Sequence, residues 1–596
     1  MNRWTVLLLL LAIAVIVAWK LFSSDTEPDA SDTSVPAVQQ VTQPLTGPNA
    51  ATSDPAAFTA SPLQFTSMRE TSDIDFVHVS GDSAEKPFPA ANGSGIAALD
   101  YDLDGNVDLY FATGTTLPTD PARENPTNRC YRNLGGWQFQ DVTDLCGLGH
   151  NGYSAGLAVG DFNSDGFPDV YVTCFGENQL YQNRGDGTFQ VVTEQSGTGD
   201  MRWATSAACM DYDNDGLTDL YVCNYGIWSL ATNQFCGDRE RDVRIFCSPG
   251  SVPAERDVLF HNEGDGSFRD VTMETGLGAS AGRGQGIIAV DVNEDGLIDL
   301  YVGNDQNANF LFQNSGHGTF HDSTENSGAA YDFQGSRQAG MGVAAGDVDR
   351  NGRIDLFVTN FGQEHNTFYS NMGGAMFQDM SRQMGLASPG FPDIGWGTAF
   401  VDFDLDGWLD VVVANGHVDD NLARLGREGR YEQPPLLLHN IRGRFSAVKG
   451  SAGAYFDGFH CGRALVITDL DNDGDSDVVI GHQDSPPELL RNDCVTTNVG
   501  LIQLRMVGTI SNRDAVGTML VYHYGDVEIV RHIVGGGSYL SANDLRVTFP
   551  CLTDSEYPRV EIHWPSGRKS SLDVTSGGSC VVLESRDAAV LLRKSR

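Results

Sequence analysis

Seven segments of the chain repeat the pattern Asp-x-Asp-x-Asp-Gly-x-x-Asp, with Asn replacing Asp at a few places, and they begin at Asp100, Asp161, Asp211, Asp291, Asp347, Asp402 and Asp469. In the third, Asp211, Asp213, Asp215 and Asp219 occupy positions 1, 3, 5 and 9 around Gly216 at position 6. Carboxylates at alternate positions, bent around a residue with no Cβ, are the hard-oxygen ligation that Ca2+ takes. A backbone carbonyl at position 7 and water complete its six to eight ligands, whereas Mg2+ prefers to keep its water shell. The same reading assigns Asp100, Asp102, Asp104 and Asp108 to the first site, and Asp161, Asn163, Asp165 and Asp169 to the second. Asp291, Asn293, Asp295 and Asp299 form the fourth, and Asp347, Asp349, Asn351 and Asp355 the fifth. Asp402, Asp404, Asp406 and Asp410 form the sixth, and Asp469, Asp471, Asp473 and Asp477 the seventh, for about seven Ca2+ sites in all.

The elements around these loops are strands. An EF-hand needs a helix on each side and a Glu at position 12, but the third loop runs into Leu220, Tyr221 and Val222, and the others exit through similarly β-branched and aromatic residues. One repeat, from Gly156 to Gln195, reads as four short strands, GLAVG, DVYVTC, NQLYQN and TFQVV, with the acidic loop between the first two. Four antiparallel strands make one propeller blade. Seven copies therefore predict an all-β chain, a seven-bladed β-propeller with calcium-binding loops, followed by a small C-terminal β-domain. The last copy ends near Asp493 before a fourth strand appears, and LQFTSMRETSDID from Leu63 resembles the missing one, so the N-terminal strand is expected to complete the last blade and close the ring.

The predicted organisation is a signal anchor or signal peptide over 1–22, a disordered linker over 23–62, the propeller over 63–494, and a β-domain with tail over 495–596. Val6 to Trp19 is apolar behind Arg3 and short for a membrane span, and no small-x-small cleavage site follows. Either form sends the remainder out of the cytoplasm: membrane-anchored and facing outward if uncleaved, periplasmic or secreted if cleaved. The linker is rich in Ser, Thr, Asp, Pro and Gln and has little to bury. Net charge is −41, and seven Ca2+ would bring it to roughly −27, so much of the acidity belongs to the loops. A nucleic-acid partner is excluded by such a surface. Of eleven cysteines, Cys236 and Cys247 bracket a short insert, Cys551 and Cys580 fall in the last domain, and Cys174, Cys209 and Cys223 read as buried thiols.

The loops, together with LYxN and GxGxFxDVT strands, resemble the FG-GAP/VCBS repeats found also in integrin alpha chains. NGHV and YEQPPLLLHN between Asn415 and Asn440, NRDAVGTMLVYHYGD after Asn512, GGGSYLSAND and VEIHWPSGRK are similar to the cartilage acidic protein and ASPIC/UnbV group. The resemblance spans about Leu63 to Glu584, and it implies extracellular binding or adhesion without naming a ligand.

No nucleophile with a base and an orienting group is recognisable in the sequence. NGSG at Asn92 lacks the GxSxG frame and reads as a turn leading into the first repeat, and WPSG at Trp564 as a packed turn. His417 and His439, near Asp419 and Asp420, read as structural histidines, with a metal or acid–base role as the alternative. For recognition the better candidate is the insert between Asn224 and Asp257, where Arg239, Arg241 and Arg244 sit on a Cys-bounded loop. Such a patch suits an anionic glycan or acidic protein segment, and the competing reading is a solvated loop with local salt bridges. The expected role is an exported, calcium-stabilised protein that binds an extracellular protein or polymer. The alternative is an enzyme or accessory protein of a biosynthetic pathway in the cell envelope.

Overall fold

The computed structural model describes residues 62–119, 125–494, 500–551, 558–574, 577–586 and 589–594. The N-terminal apolar run, with all but the end of the linker, lies outside them. No helix among the described residues is long and apolar enough to cross a membrane.

The chain is all-β and propeller-like. Each repeat folds into a four-stranded antiparallel sheet, seven in number. Their first strands are Ile96–Leu99, Ser154–Gly160, Ala204–Met210, Gly284–Val290, Val343–Gly346, Gly395–Val401 and Gly462–Thr468. Each of these touches the first strands of the two neighbouring sheets, and Ile96–Leu99 touches Gly462–Thr468, so the order is cyclic. Strand Phe65–Ser67 supplies the fourth strand of the seventh sheet, pairing Phe65 with Asn492 and Ser67 with Leu490. Apolar faces of adjacent sheets meet in continuous clusters. One of them joins Ile96, Leu109 and Phe111 of the first sheet to Val466, Val479 and Leu489 of the seventh, so the junction of the ends is packed with buried apolar side chains like the others.

After the seventh sheet come two further four-stranded sheets. In one, Gly500–Val507 lies parallel to Gly578–Leu583; in the other, Met519–Tyr524 is central between Val527–His532 and Arg559–His563. The C-terminal domain does more than lie beside the ring. Its segment Gly535–Asp544 runs down the axis and is bonded to every first strand. Gly537 N donates to Ile287 O (2.8 Å), Ser538 N to Val343 O (2.7 Å), Leu157 N to Leu540 O (3.0 Å) and Ala98 N to Ala542 O (3.0 Å). Leu540 N donates to Ser206 Oγ (3.0 Å), Ser538 Oγ to Leu465 O (2.7 Å), and Thr398 N to Ser538 Oγ (3.3 Å). Gly535 and Gly536 are needed for this approach: a Cβ on Gly535 would stand 2.3 Å from Cys209 O, and one on Gly536, at φ +77°, 2.4 Å from Ile287 O. Tyr539 and Leu540, both fully buried, fill the centre.

The long insert of the third sheet folds back over one mouth of this axis. Its strands Cys236–Asp238 and Val243–Ile245 pair antiparallel, and a Cys236–Cys247 disulfide closes them. Phe246 is buried against Ala90 and Ala91 of the first repeat, and its N–H donates to Asp419 Oδ1 (2.9 Å). The other nine cysteines, Cys551 and Cys580 included, are buried free thiols.

Candidate metal centres in the acidic loops

Each loop joins the first and second strands of its sheet, and all seven adopt one conformation. Position 4 is left-handed in every loop (φ +55 to +64°, Leu405 to Glu294), and so is the position-6 glycine (φ +83 to +100°, Gly352 to Gly474). The position-9 aspartate opens the second strand and is fully buried. Asp108 accepts from Asn133 N at 2.7 Å and from Tyr101 N at 3.2 Å. The same two bonds recur at Asp169, Asp219, Asp299, Asp355, Asp410 and Asp477. Position 9 thus ties the loop to the third strand, whether or not it also meets a cation.

The asparagine it binds carries a second function that the sequence reading missed. Its Nδ2 donates to the position-2 carbonyl of the preceding sheet's loop: Asn183 to Tyr101 (2.8 Å), Asn262 to Phe162 (2.8 Å), Asn314 to Tyr212 (2.7 Å) and Asn371 to Val292 (2.9 Å). Asn440 reaches Val348 (3.2 Å), Asn492 reaches Phe403 (2.9 Å), and Asn133 reaches Leu470 (2.8 Å), which brings the cycle back to its start. The signal lay in the invariant Asn that ends each third strand, spelled out in LYQN, LFHN and LFQN.

Do the loops fit a divalent cation? In the first six loops the position-1 carboxylate takes the position-6 N–H on one oxygen, as in Asp402 Oδ2 from Gly407 N at 3.0 Å, and in the seventh Asp469 Oδ2 accepts from Gln503 Nε2 instead (3.0 Å). The other oxygen of Asp100, Asp402 and Asp469 is buried without a hydrogen-bond partner, as are Asp213 Oδ1 and Asp475 Oδ1. Ligand atoms of Asp100, Asp102 and Asp108 lie within 4.8 Å of one another, as do those of Asp211, Asp213 and Asp215 and those of Asp347, Asp349 and Asp355. Two oxygens facing each other across Ca2+ are separated by about twice 2.4 Å, so these sets span one ion. Burial first, and then neighbouring carboxylates, push Asp211 and Asp347 up to about 7. Burial pushes Asp108, Asp169 and Asp299 up to about 8, the carboxylate neighbours outweighed in part by backbone donors. Asp475, at position 7 of the last loop and overlooked in the sequence, is pushed up to about 10 by burial and by Asp477, Asp473, Asp469 and Asp471. A site so short of positive charge fits a bound cation, with Asp475 as a further oxygen donor.

The loops differ in what faces them from the third strand. The residue before each asparagine is Arg132, Gln182, His261, Gln313, Ser370, His439 and Arg491 in turn. Arg132 places Nε 2.7 Å from Asp102 and Nη2 3.0 Å from Asp104. His261 Nδ1 stands 3.5 Å from Asp213 and 3.4 Å from Asp219. His439 points not toward Asp419 and Asp420 but at the sixth loop, with Nε2 3.3 Å from Asp404 Oδ2. His417 is separate from it, its Nδ1 accepting from Asp419 N (2.9 Å). The C-terminal domain reaches the same loops with arginines: Arg531 Nη2 to Asp402 Oδ2 (3.1 Å), Arg546 Nη1 to Asp469 Oδ2 (3.9 Å) and Arg513 Nε to Asp161 Oδ2 (4.0 Å).

Of the three insert arginines, Arg239 and Arg244 meet over Phe235, while Arg241 pairs with Asp238. Arg244 is largely buried and committed, ion-paired to Glu85 and donating to Gln234 O (2.8 Å). Arg241 lies 3.5 Å from Asp238, and Arg239 stacks on Phe235 at 4.6 Å; both are exposed. Ser94 of the NGSG turn has a buried histidine beside it, His78 Nε2 at 3.1 Å. However, His78 Nδ1 receives the Asp484 N–H (3.3 Å), which leaves the ring proton on Nε2, while Ser94 Oγ donates to Ser154 O (2.9 Å). The imidazole is the donor in this pair, the reverse of a general base.

Family models match parts of this architecture: the FG-GAP-like repeat at residues 100–172, 161–222, 237–302, 291–358 and 347–413, about half of the chain, and ASPIC and UnbV at 508–590. The chain belongs to the FG-GAP-like repeat family. Human cartilage acidic protein 1 is 27% identical over 362 residues, 59% of this chain and 50% of that protein. The Xenopus tropicalis protein of the same name is 29% identical over 321 residues, 53% of this chain and 46% of its own. The chain thus spans about half the length of the curated relatives it matches. Among solved structures, an Agrocybe aegerita lectin recognising non-reducing terminal N-acetylglucosamine aligns with a TM-score of 0.35 at 16% identity, covering 65% of this chain and 85% of the lectin. Within this family chain, the ASPIC and UnbV match contains the axial segment Gly535–Asp544.

Proposed function

We propose that the chain is an exported, calcium-stabilised seven-bladed propeller that works by binding an extracellular protein or glycan. The observation that carries this reading is the coincidence of a closed, cyclically bonded ring with a filled axis. The axis offers no open channel, because Tyr539 and Leu540 occupy it, so recognition falls to the loops the ring holds rigid. Ca2+ in about seven acidic loops stiffens each sheet between its first two strands. At a dissociation constant near 0.1 mM and about 1 mM Ca2+, each site adds roughly 1.4 kcal/mol, so seven independent sites add around 10 kcal/mol. The ligand-facing element is the exposed tip of the disulfide-closed insert, which carries Arg241 and Arg239, the latter over Phe235, with Arg244 anchoring the tip to Glu85.

Two measurements test this. Excess EGTA should lower the melting temperature sharply, and an unchanged melt would remove the calcium reading. Replacing Arg239 and Arg241 by Ser should weaken retention on anionic surface polymers at low salt and flatten its salt dependence, and equal retention would remove the insert as the site.

A further inference from the structure

We infer that the third and sixth acidic loops are mixed imidazole–carboxylate centres that take a first-row transition metal of the Zn2+ class, while the remaining loops are oxygen sites. The inference rests on the reading of the loops as cation sites and refines it for these two. In the sixth loop three observations converge. Ligand atoms of Asp404, Asp406 and His439 lie within 4.8 Å of one another. Asp402 is 9% exposed, and its Oδ1 is buried without a hydrogen-bond partner at position 1 of the loop. His439 Nε2 is likewise buried and makes no hydrogen bond, although Asp404 Oδ2 is only 3.3 Å away. The third loop repeats the arrangement, with Asp213, Asp219 and His261 Nδ1 mutually within 4.8 Å; here Nδ1 stands 3.4 Å from Asp219, a carboxylate contact that a bound metal would replace.

The donor type decides between metals. Ligand spacings of 3.3–3.5 Å suit a tetrahedral ion with bonds near 2.05 Å, but they also suit a larger octahedral one. Neutral imidazole is a poor donor for Ca2+ and a good one for Zn2+, Co2+ and Ni2+. At the same register the other five loops face Arg, Gln or Ser, none of which offers a nitrogen lone pair. In the first loop Arg132 bridges Asp102 and Asp104 with a fixed positive charge instead.

The test is Co2+ titration of the full chain, stripped of metal and then held in about 1 mM Ca2+, followed by visible absorption and metal analysis. The comparison protein is H261Q/H439Q, which carries at both positions the residue that the second and fourth repeats already use, Gln182 and Gln313. The wild-type chain should take up two equivalents that Ca2+ does not displace, and the variant should lose at least ~100-fold in Co2+ affinity while keeping its Ca2+-dependent melting shift. Equal Co2+ uptake by both proteins, or full displacement of Co2+ by Ca2+, overturns the inference. Loss of the EGTA effect with retained, histidine-dependent Co2+ uptake would instead remove the calcium reading alone.

Discussion

The cyclic chain of asparagines makes a quantitative claim that Asn133 can decide. Its Nδ2 donates to Leu470 O of the seventh sheet (2.8 Å) and to Val107 O of its own (3.0 Å), and its Oδ1 accepts from Gly135 N (2.9 Å). Asn314, on the far side of the ring, makes the same three bonds, to Tyr212 O (2.7 Å), Ile298 O (3.1 Å) and Gly316 N (3.0 Å). Both residues are more than nine-tenths buried. Replacement by Ala strips two buried carbonyls of their donor, at about 1–3 kcal/mol each when water cannot take its place, so each variant should lose about 2–6 kcal/mol. The two losses should match, because every link in a closed ring is equivalent, whereas in an open array the terminal link at Asn133 would be dispensable. Urea unfolding followed by far-UV circular dichroism, with midpoints converted through the common m-value, measures both. An Asn133→Ala loss below ~0.5 kcal/mol beside a full loss for Asn314→Ala would refute ring closure through these side chains; small losses in both would refute the energetic role of the links.

Tyr539→Ala should cost about 3–5 kcal/mol, because it empties the axis of a fully buried ring tilted against Trp396 at 5.0 Å and removes the bond to Asn92 O (3.1 Å); a melt within a degree of wild type would mean that the axial segment is not a core element. Glu584 supplies a pH test. Burial raises its carboxyl, but the Ser566 hydroxyl (2.5 Å) and the N–H groups of Thr509, Ile510 and Ser511 (2.7–2.9 Å) outweigh that and hold it below the ordinary value. A depressed folded-state value stabilises above the unfolded value near ~4.3 and is lost as pH falls through the folded one. The stability gap between wild type and Glu584→Gln should therefore be constant from pH 7 to about 5 and shrink below that, and a gap independent of pH down to 3 would contradict the assignment.

The sequence carried the repeat because its chemistry is local. Nine residues specify each loop, the position-6 glycine its turn, and the β-branched exits the strand that follows, so the sheet count and the use of Phe65–Ser67 in the seventh sheet could be read directly. What stayed hidden depends on residues far apart in the chain. His439 lies close to Asp419 in number, yet it faces Asp404 because strand pairing sets Leu438 opposite Val411, which brings the third strand alongside the loop exit. Arg244 reads as a free cation until the fold brings Glu85 to it across 159 residues. The glycines of GGGSYLSAND mark a close backbone approach without saying to what, and only the ring identifies the partners as its seven inner strands.

These long-range contacts join the acidic loops to the C-terminal domain. The face bearing the loops is where Arg513, Arg531 and Arg546 approach position-1 carboxylates, and where Asp514 Oδ2 accepts from Asp161 N (2.8 Å) and Asp469 Oδ2 from Gln503 Nε2 (3.0 Å). In each position-1 carboxylate that meets an arginine or Gln503, the oxygen engaged is Oδ2; in Asp402 and Asp469 Oδ1 remains without a hydrogen bond. A cation held on Oδ1 would therefore share a carboxylate with the arginine on Oδ2 rather than compete for one atom, and where its ordering of that carboxylate outweighs its repulsion of the guanidinium the two would support each other. Loading the loops and seating the C-terminal domain then become linked equilibria, so chelation should loosen the domain and withdraw the axial segment along with softening the sheets. Hydrogen exchange of residues 535–544 with and without EGTA measures that coupling directly. Protection unchanged by chelation would mean that the two share a surface without sharing free energy.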